Sequence, residues 1–259
     1  MSNAAAVLEA LVNMSRELGR PERDLVILGE GNTSALCDDG SFWVKGSGTQ
    51  LGTIDASGFV QVRLAPVCAL ADRPADAGEL SDAALKAALQ DAKVDPANPR
   101  QPSVETVLHA LALSEAGARY VGHTHPVAVN ALTCSRGAKE ALAGRLFPDE
   151  IVVCGPAPLF VPYTDPGLPL ARAVRDGFHR YADQWGSAPK AILMQNHGLI
   201  ALGGSPREVD NVTAMCVKTC RILAGTFSFG GPLFMTAQAV ERIHTRPDEA
   251  YRRKQLGLQ

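Results

Sequence analysis

The sequence predicts a layered α+β domain. Short β-rich runs come first, over residues 24–64, and turn signals such as Asp39-Gly40 and Ser57-Gly58 separate them. Helical patterns predominate later in the chain, and no internal repeat is visible. Strands in hairpins followed by helices favour a layered α+β arrangement over a doubly wound βαβ one. The 259 residues are compatible with one large domain or two small ones, and we expect one.

The first third of the chain should contain an opening helix, a set of hairpins and a second helix. Apolar residues recur at helical spacing over residues 4–19, and Gly19 and Pro21 should end that helix. The glycine-punctuated segment after it predicts strands joined by hairpins. Residues 80–92 are alanine-rich and predict a helix, whereas the following VDPANPRQP is typical of an exposed loop.

From Ser103 onward the pattern predicts helices with two intervening strands. Ser103 is an N-cap candidate for a helix that Gly117 should close. The run ARYVGHTH predicts a strand, and Pro126 suits the first turn of the helix PVAVNALTCS. After the proline-rich IVVCGPAPLFVPYTDPG we expect a helix over residues 170–185, an apolar strand AILMQNHGLIAL over residues 191–202, and a helix over residues 205–224.

Composition excludes several classes of function. The formal net charge is −2 and no polybasic run occurs, so we expect neither nucleic acid nor a membrane surface as partner, but a small molecule. No secretory signal or apolar run of membrane-spanning length is visible, which favours the cytoplasm. The six cysteines form no CxxC pair and should be small buried hydrophobes, although Cys216 and Cys220 could share a helix face.

A pair of histidines ends one predicted strand. In His123-Thr124-His125 a spacing of two puts both imidazoles on the same face of a sheet. Neutral imidazole is the commonest protein ligand for zinc and related divalent cations, and a catalytic site needs about three protein ligands with one position open. A strand-end pair that only forms hydrogen bonds is the alternative, so a third ligand must come from elsewhere.

Three further residues are candidates for the same chemistry. His197, in Gln195-Asn196-His197-Gly198, stands at the end of a buried apolar run and could be a third ligand or only a turn residue. Glu105 and His109 lie four residues apart on one helix face, where they could form a metal pair or a partly solvated flank. We prefer Glu105 as a catalytic residue.

Four motifs, in this order, resemble the class II aldolase/adducin family, which includes fuculose-phosphate aldolases and ribulose-phosphate 4-epimerases. They are Gly31-Asn32-Thr33-Ser34; Lys45-Gly46-Ser47-Gly48-Thr49; Pro102-Ser103-Val104-Glu105 with Leu108-His109; and Gly122-His123-Thr124-His125-Pro126 with Asn196-His197-Gly198-Leu199. The resemblance implies a three-layer α/β/α sandwich with a central, mostly antiparallel sheet. It implies one such domain over residues 1–259, with a core of about 5–225, a C-terminal tail at 226–259, and assembly as a homotetramer.

The resemblance also assigns roles to particular residues. It makes His123, His125 and His197 the ligands of a divalent ion, zinc first and manganese or cobalt as alternatives, and Glu105 the acid/base. Small hydroxyls and backbone amides of the glycine-rich turns would bind a substrate phosphate. That group comprises Asn32, Thr33, Ser47, Gly48 and Ser103. Without the resemblance, the two glycine-rich turns would be interpreted as ordinary hairpin turns. The sequence also departs from the family at Val104, where sugar-phosphate aldolases often have a second serine.

The resemblance further implies a tyrosine that protonates the leaving aldehyde oxygen from a loop reaching the neighbouring subunit. Phe147 or Pro148 aligns near that position, so Tyr163 is taken as the candidate, with Tyr251 as the alternative.

The expected reaction is a reversible retro-aldol cleavage of a small ketose phosphate or related hydroxy-keto compound, with a divalent ion stabilising the enediolate. Epimerisation, decarboxylation or dehydration of a sugar phosphate would use the same apparatus. A non-catalytic adducin-like binding module predicts lost ligands, and a metal-dependent hydrolase would use Glu105 to activate water.

Overall fold

A single seven-stranded sheet forms the centre of the molecule. The computed structural model describes residues 3–73 and 80–255. Every neighbouring pair in the sheet is antiparallel except β5 and β6, which are parallel, and the order is β3-β2-β1-β4-β7-β6-β5. The strands are β1 Asn32–Leu36, β2 Ser41–Lys45, β3 Phe59–Arg63, β4 Tyr120–Thr124, β5 Leu159–Val161, β6 Ala191–Met194 and β7 Gly198–Gly203. The predicted mostly antiparallel central sheet is therefore confirmed.

Helices cover both faces of this sheet. They are α1 Asn3–Leu18, α2 Leu64–Cys68, α3 Asp82–Asp91, α4 Thr106–Ser114, α5 Val127–Thr133, α6 Ala138–Ala141, α7 Pro148–Cys154, α8 Leu168–Trp185, α9 Pro206–Thr226, α10 Ala237–Thr245 and α11 Pro247–Gln255. None of the helices within the described ranges is long and apolar enough to cross a membrane.

Two hydrophobic cores lie on opposite faces of the sheet. One contains side chains of α2, α3, α4 and α8, and the other contains side chains of α1, α5, α7 and α9. Along β7, Ile200 and Leu202 belong to the first core, whereas Leu199 and Ala201 belong to the second. A strand that is buried on both faces needs apolar side chains at every position, because alternate residues point to opposite sides. The three-layer α/β/α sandwich is confirmed.

Several local predictions are confirmed and others are wrong. The opening helix and the early hairpins are confirmed as α1 and β1 to β3. The run over residues 191–202 is wrong as a single strand, because a tight turn with Asn196 at φ 53° divides it into β6 and β7. The proline-rich segment contains the last residues of α7 and the whole of β5, neither of which was predicted. The predicted domain range also includes residues 1–2, 74–79 and 256–259, which lie outside the described residues.

The cysteines are mostly buried, as their scattered positions predicted. Cys37, Cys154, Cys216 and Cys220 are buried and form no disulfide, whereas Cys134 is exposed. Cys216 and Cys220 lie on one face of α9, and burial contributes to a raised pKa of both thiols. For Cys216 the hydrogen bond with Cys154 is the larger cause.

Candidate active site

The end of strand β4 carries the first two histidines of the site. His123 is paired with Asn32 of β1 on one side and with Ile200 of β7 on the other, so its backbone is fixed in the middle of the sheet. His125 follows the strand, and its backbone N–H donates to the carbonyl of Leu25. The backbone just before β1 passes very close to His123, since a Cβ at Gly31 would lie 2.5 Å from the carbonyl oxygen of His123.

The turn between β6 and β7 carries the third histidine. The Asn130 side-chain amide donates to the carbonyl of His197 at 3.1 Å, which fixes this turn against α5. A Cβ at Gly198 would lie 2.5 Å from the carbonyl oxygen of Thr124 and 2.7 Å from Cδ2 of His125. Glycine is required there because only a hydrogen lets the turn pack directly on the other two histidines.

The three imidazoles form a cluster that fits a divalent ion. One nitrogen from each of His123, His125 and His197 lies within 4.8 Å of the others, and Nε2 of His123 is 3.1 Å from Nε2 of His125. Nδ1 of His123 donates to the carbonyl of Leu199 at 3.0 Å. A neutral His123 therefore has its lone pair on Nε2, facing the cluster. Three imidazole nitrogens grouped this closely are a typical donor set for catalytic zinc.

Burial keeps His123 and His125 neutral. Desolvation lowers the pKa of His123 to about 4, although the Glu105 carboxylate opposes the shift. Desolvation, with the neighbouring imidazoles, also lowers the pKa of His125 to about 4. Neutral imidazole is the form that binds a metal ion, so both side chains are in the ligating form at neutral pH.

Glu105 stands at the start of helix α4 beside the cluster. It occupies the N-cap position, so the prediction of Ser103 as N-cap is wrong, and the helix begins at Thr106. Its Oε1 lies 3.3 Å from Nε2 of His197 and 3.8 Å from Nε2 of His123. Its Oε2 accepts a hydrogen bond from the Asn32 amide at 2.5 Å. Burial raises the pKa of this carboxyl, but the neighbouring histidines and Asn32 outweigh that effect and hold it well below its usual range.

His109 has neither of the two roles considered from the sequence. It is fully buried, so it is not a partly solvated flank, and it contacts Asn32 and Ser34 rather than the histidine cluster. Nδ1 of His109 lies 2.7 Å from Oγ of Ser34, and Nε2 is hydrogen-bonded to Oδ1 of Asn32. His109 therefore connects the central sheet to the side chain that holds Glu105.

A cavity of about 250 Å³ opens beside the cluster, and several predicted substrate-binding residues line it. Asn32, Ser47, Gly48 and Ser103 are in its wall. The Ser103 hydroxyl is buried and has no hydrogen-bond partner in the described part of the chain. The Ser47 backbone N–H is already donated to the carbonyl of Gln101, which leaves its side chain as the group available to a ligand.

Thr33 and Tyr163 are not brought into this cavity. Thr33 is buried on the opposite face of the sheet, where its hydroxyl is 2.6 Å from the hydroxyl of Ser15 in α1. Tyr163 is 58% exposed, and its hydroxyl donates to Asp165 at 2.9 Å. Its backbone N–H donates to the Gln195 side chain, beside the turn of His197. Of the other positions considered, Pro148 begins α7, just after Phe147, and Tyr251 is exposed on α11.

Lys45 lines the cavity and was not singled out from the sequence. It is only 4% exposed, and its Nζ donates to the carbonyl of Gly29 at 3.0 Å. Desolvation lowers the pKa of its ammonium group, and the nearby Glu105 carboxylate opposes that shift. The available signal was a lysine at the end of an apolar strand, directly before a Gly-Ser-Gly turn.

A family model that matches most of the chain identifies its family. The model of the "Class II Aldolase and Adducin N-terminal domain" matches residues 9–224. A curated relative, the uncharacterized oxidoreductase YuxG of Bacillus subtilis (strain 168), is 30% identical over 206 residues, which are 76% of this chain and 26% of that protein. The chain thus spans about a quarter of the length of that relative.

Solved structures share the fold. The N-terminal class II aldolase domain of a Thermoplasma acidophilum protein is 26% identical with a TM-score of 0.64, covering 84% of this chain and 93% of that one. YgbL from Klebsiella pneumoniae, whose description leaves its reaction open among aldolase, epimerase and decarboxylase, is 23% identical with a TM-score of 0.69, covering 94% and 99%. An L-fuculose 1-phosphate aldolase is 17% identical with a TM-score of 0.68, covering 93% and 95%.

Proposed function

The chain belongs to the class II aldolase and adducin family, and from that premise we propose that it is a divalent-metal-dependent aldehyde-lyase. Its reaction would be the reversible retro-aldol cleavage of a small ketose phosphate or related hydroxy-keto compound. The observation that carries the proposal is the position of the Glu105 carboxylate, 3.3 Å from one of three clustered imidazoles and at the wall of a cavity of substrate size. Lyase chemistry needs a proton carrier beside an electrophilic centre, and this arrangement offers a carboxylate for the first role and three imidazoles that would hold a metal ion for the second.

His123, His125 and His197 would hold the ion, zinc first, with manganese or cobalt also compatible with imidazole ligands. A bound divalent ion supplies Lewis-acid stabilisation of the negative charge that develops on the substrate oxygens. Three neutral imidazole ligands carry no negative charge, so the ion would keep its full positive charge. The Nδ1 bond from His123 to Leu199 orients the first imidazole for this role.

Glu105 would transfer the proton at the carbon atom next to the carbonyl of the ketone fragment. In the synthetic direction the ionised Glu105 would remove a proton from the carbon next to the ketone carbonyl. In cleavage the electron pair of the broken carbon–carbon bond remains with the ketone fragment, and Glu105 would pass to that carbon a proton that it has taken up from solvent. Oε2 is occupied by the Asn32 amide, so Oε1 is the oxygen that exchanges the proton. We assign to Tyr163 the transfer of the proton on the oxygen of the leaving aldehyde. Because Tyr163 lies outside this cavity, it would have to act at the site of a neighbouring subunit.

Three other residues that line the cavity favour an anionic end group on the substrate. Ser103 offers a buried hydroxyl that has no partner among the described residues, and Gly48, at φ 81°, leaves the turn open to a ligand. Lys45 adds a buried ammonium group with one bond to a carbonyl. A phosphate accepts hydrogen bonds from all these kinds of donor, and a buried ammonium favours charged ligands over neutral ones.

We predict that Lys45→Met raises KM for a phosphorylated substrate by about 10- to 100-fold, the size of a lost charge-assisted hydrogen bond. Steady-state kinetics measures this change. Lys93→Met is the matched control, because Lys93 is also buried, at 5% exposure, and donates to a carbonyl, that of Asn98, away from the cavity. An unchanged KM in Lys45→Met would show that this ammonium does not bind the substrate.

The rim of the site supports assembly into a homo-oligomer, and we propose a tetramer with the site near a subunit interface. Ile27, Leu28 and Val127 are largely exposed, and the first two lead directly into the loop that lines the cavity. Apolar side chains grouped in this way are typical of protein interfaces. Light scattering at micromolar concentration should give a mass four times that of one chain. A monodisperse monomer would contradict both the assembly and a tyrosine donated from a neighbour.

A substrate screen tests the proposed function. Small ketose phosphates and hydroxy-keto acids are incubated with and without a chelator, while aldehyde and carbon dioxide are measured. Chelator-sensitive aldehyde release supports the lyase. Carbon dioxide release would indicate a decarboxylase, while inverted or dehydrated products found by NMR would indicate an epimerase or dehydratase. Ester or amide cleavage would indicate a hydrolase, and no turnover would favour an adducin-like binding module, although this chain has all three histidines and Glu105.

A further inference from the structure

We infer that His109 is a positioning residue that holds the Asn32 side-chain amide in the one orientation in which it donates to Glu105. Through Asn32 it determines which Glu105 oxygen faces the histidine cluster. The kinetic part of this inference rests on the proposed lyase function, whereas the hydrogen-bond part stands on the structure alone. His109 is not among the residues that line the cavity and does not belong to the histidine cluster.

The hydrogen-bond donors can be assigned one after another. A carboxylate only accepts, so the Asn32 group 2.5 Å from Oε2 of Glu105 is its amide nitrogen. Oδ1 of Asn32 then faces His109 and needs a donor, which must be Nε2–H of the imidazole. A neutral imidazole carries a single N–H, so Nδ1 is an acceptor and the Ser34 hydroxyl 2.7 Å away donates to it.

Because the residues of this chain of hydrogen bonds are buried, water cannot replace any of the bonds. Ser34 and His109 are completely buried and Asn32 nearly so, so solvent does not compete for their polar atoms. With the proton on Nδ1 instead, the Asn32 amide would have to turn over and present its oxygen to the Glu105 carboxylate. Two acceptors would then face each other in a buried site, which is costly. At the other end of the chain of bonds, Ser34 holds the His109 ring in place, because the Ser34 backbone is itself fixed between β2 and β4.

The electrostatic surroundings agree with a neutral His109. Burial lowers its pKa to about 4, and the Glu105 carboxylate only partly opposes this shift. Ser34 and Asn32, its two hydrogen-bond partners, are uncharged. His109 therefore has one ring proton to place at neutral pH, and the Asn32 oxygen that faces Nε2 places it there, because the Ser34 hydroxyl can donate to Nδ1.

Two variants separate positioning from packing. In His109→Gln the side-chain amide can reach the position of Nε2 and still donate to Asn32. The shorter amide of His109→Asn reaches only the position of Nδ1, next to Ser34. We expect His109→Gln to keep kcat within a few-fold of wild type and His109→Asn to lower it by about 10- to 100-fold. KM and metal content should stay near wild type in both. A purely structural His109 would instead give equal losses in kcat, and that result would overturn the inference.

A measurement without turnover completes the test. In protein labelled with ¹⁵N-histidine, the nitrogen shifts of His109, assigned by its loss in His109→Gln, should show a neutral ring with the proton on Nε2 at pH 7.5. A proton on Nδ1 or a charged ring would overturn the inference, even if His109→Asn failed to fold. If wild type cleaves none of the screened substrates, the proposed function fails, while the nitrogen shifts still decide the role of His109.

Discussion

His123→Ala is expected to purify without a stoichiometric divalent ion and to lose lyase activity by about 10³-fold or more. His123 is the most buried of the three clustered histidines, and its Nε2 lies 3.1 Å from the nitrogen of His125. Its removal leaves two imidazoles, which are too few for a catalytic site. Elemental analysis of dialysed protein gives the metal content, and aldehyde release gives the activity.

The control for this result is a histidine outside the cluster. His179 is 65% exposed and lies 3.2 Å from Glu115, so His179→Ala should retain both metal and activity. His197→Ala should behave like His123→Ala. Full metal content in both His123→Ala and His197→Ala would show that the ion binds elsewhere.

Glu105→Gln is expected to bind metal nearly as well as wild type while losing activity by about 10²- to 10⁴-fold, the usual contribution of general acid–base catalysis. The substitution keeps the shape of the side chain and leaves all three imidazoles in place, but it removes the group that carries a proton. Exchange of the proton next to the carbonyl of a ketone-side product can be followed in deuterated water without the aldehyde partner. That exchange isolates the step assigned to Glu105.

A structural role for Glu105 at the start of α4 predicts a different result. A carboxylate there would be favoured by the helix dipole, and its loss would cost about 1 kcal/mol of stability and little activity. Glu208 is a control for this effect, because it is a buried acid in the first turn of α9, ion-paired with Lys190. Glu208→Gln should lower stability and leave proton exchange intact. If Glu105→Gln exchanges the proton as fast as wild type, another group is the base.

Much of the fold could be predicted because local signals agree with it. Asp39-Gly40 and Ser57-Gly58 marked the turns of the first three strands, and the apolar spacing of α1 was clear. The division into β6 and β7 was hidden, because both strands are buried on both faces and the turn between them is very short. A three-residue strand such as β5 has no detectable period at all.

The site was predictable only in part. The spacing of His123 and His125 indicated a shared face, but the contact of His197 with them depends on the pairing of β4 with β7, which no local pattern reveals. Alternation along β1 could have separated Thr33 from Asn32, since neighbouring strand residues point to opposite faces. The roles of Lys45 and His109 follow from contacts between distant segments, such as that of His109 with Asn32.

The central position of β4 has a consequence for how the chain would acquire the proposed ion. The bonds that fix Glu105, His109 and His123 join residues 73 to 77 positions apart, so no short segment can build the site. Contacts between distant segments form slowly, and a site made of them is absent from the unfolded chain. A newly synthesised chain would therefore present separate imidazoles to the cellular metal pool and bind an ion firmly only after β7 has joined β4. Metal loading would then be a late event in folding, and the bound ion would favour the completed sheet.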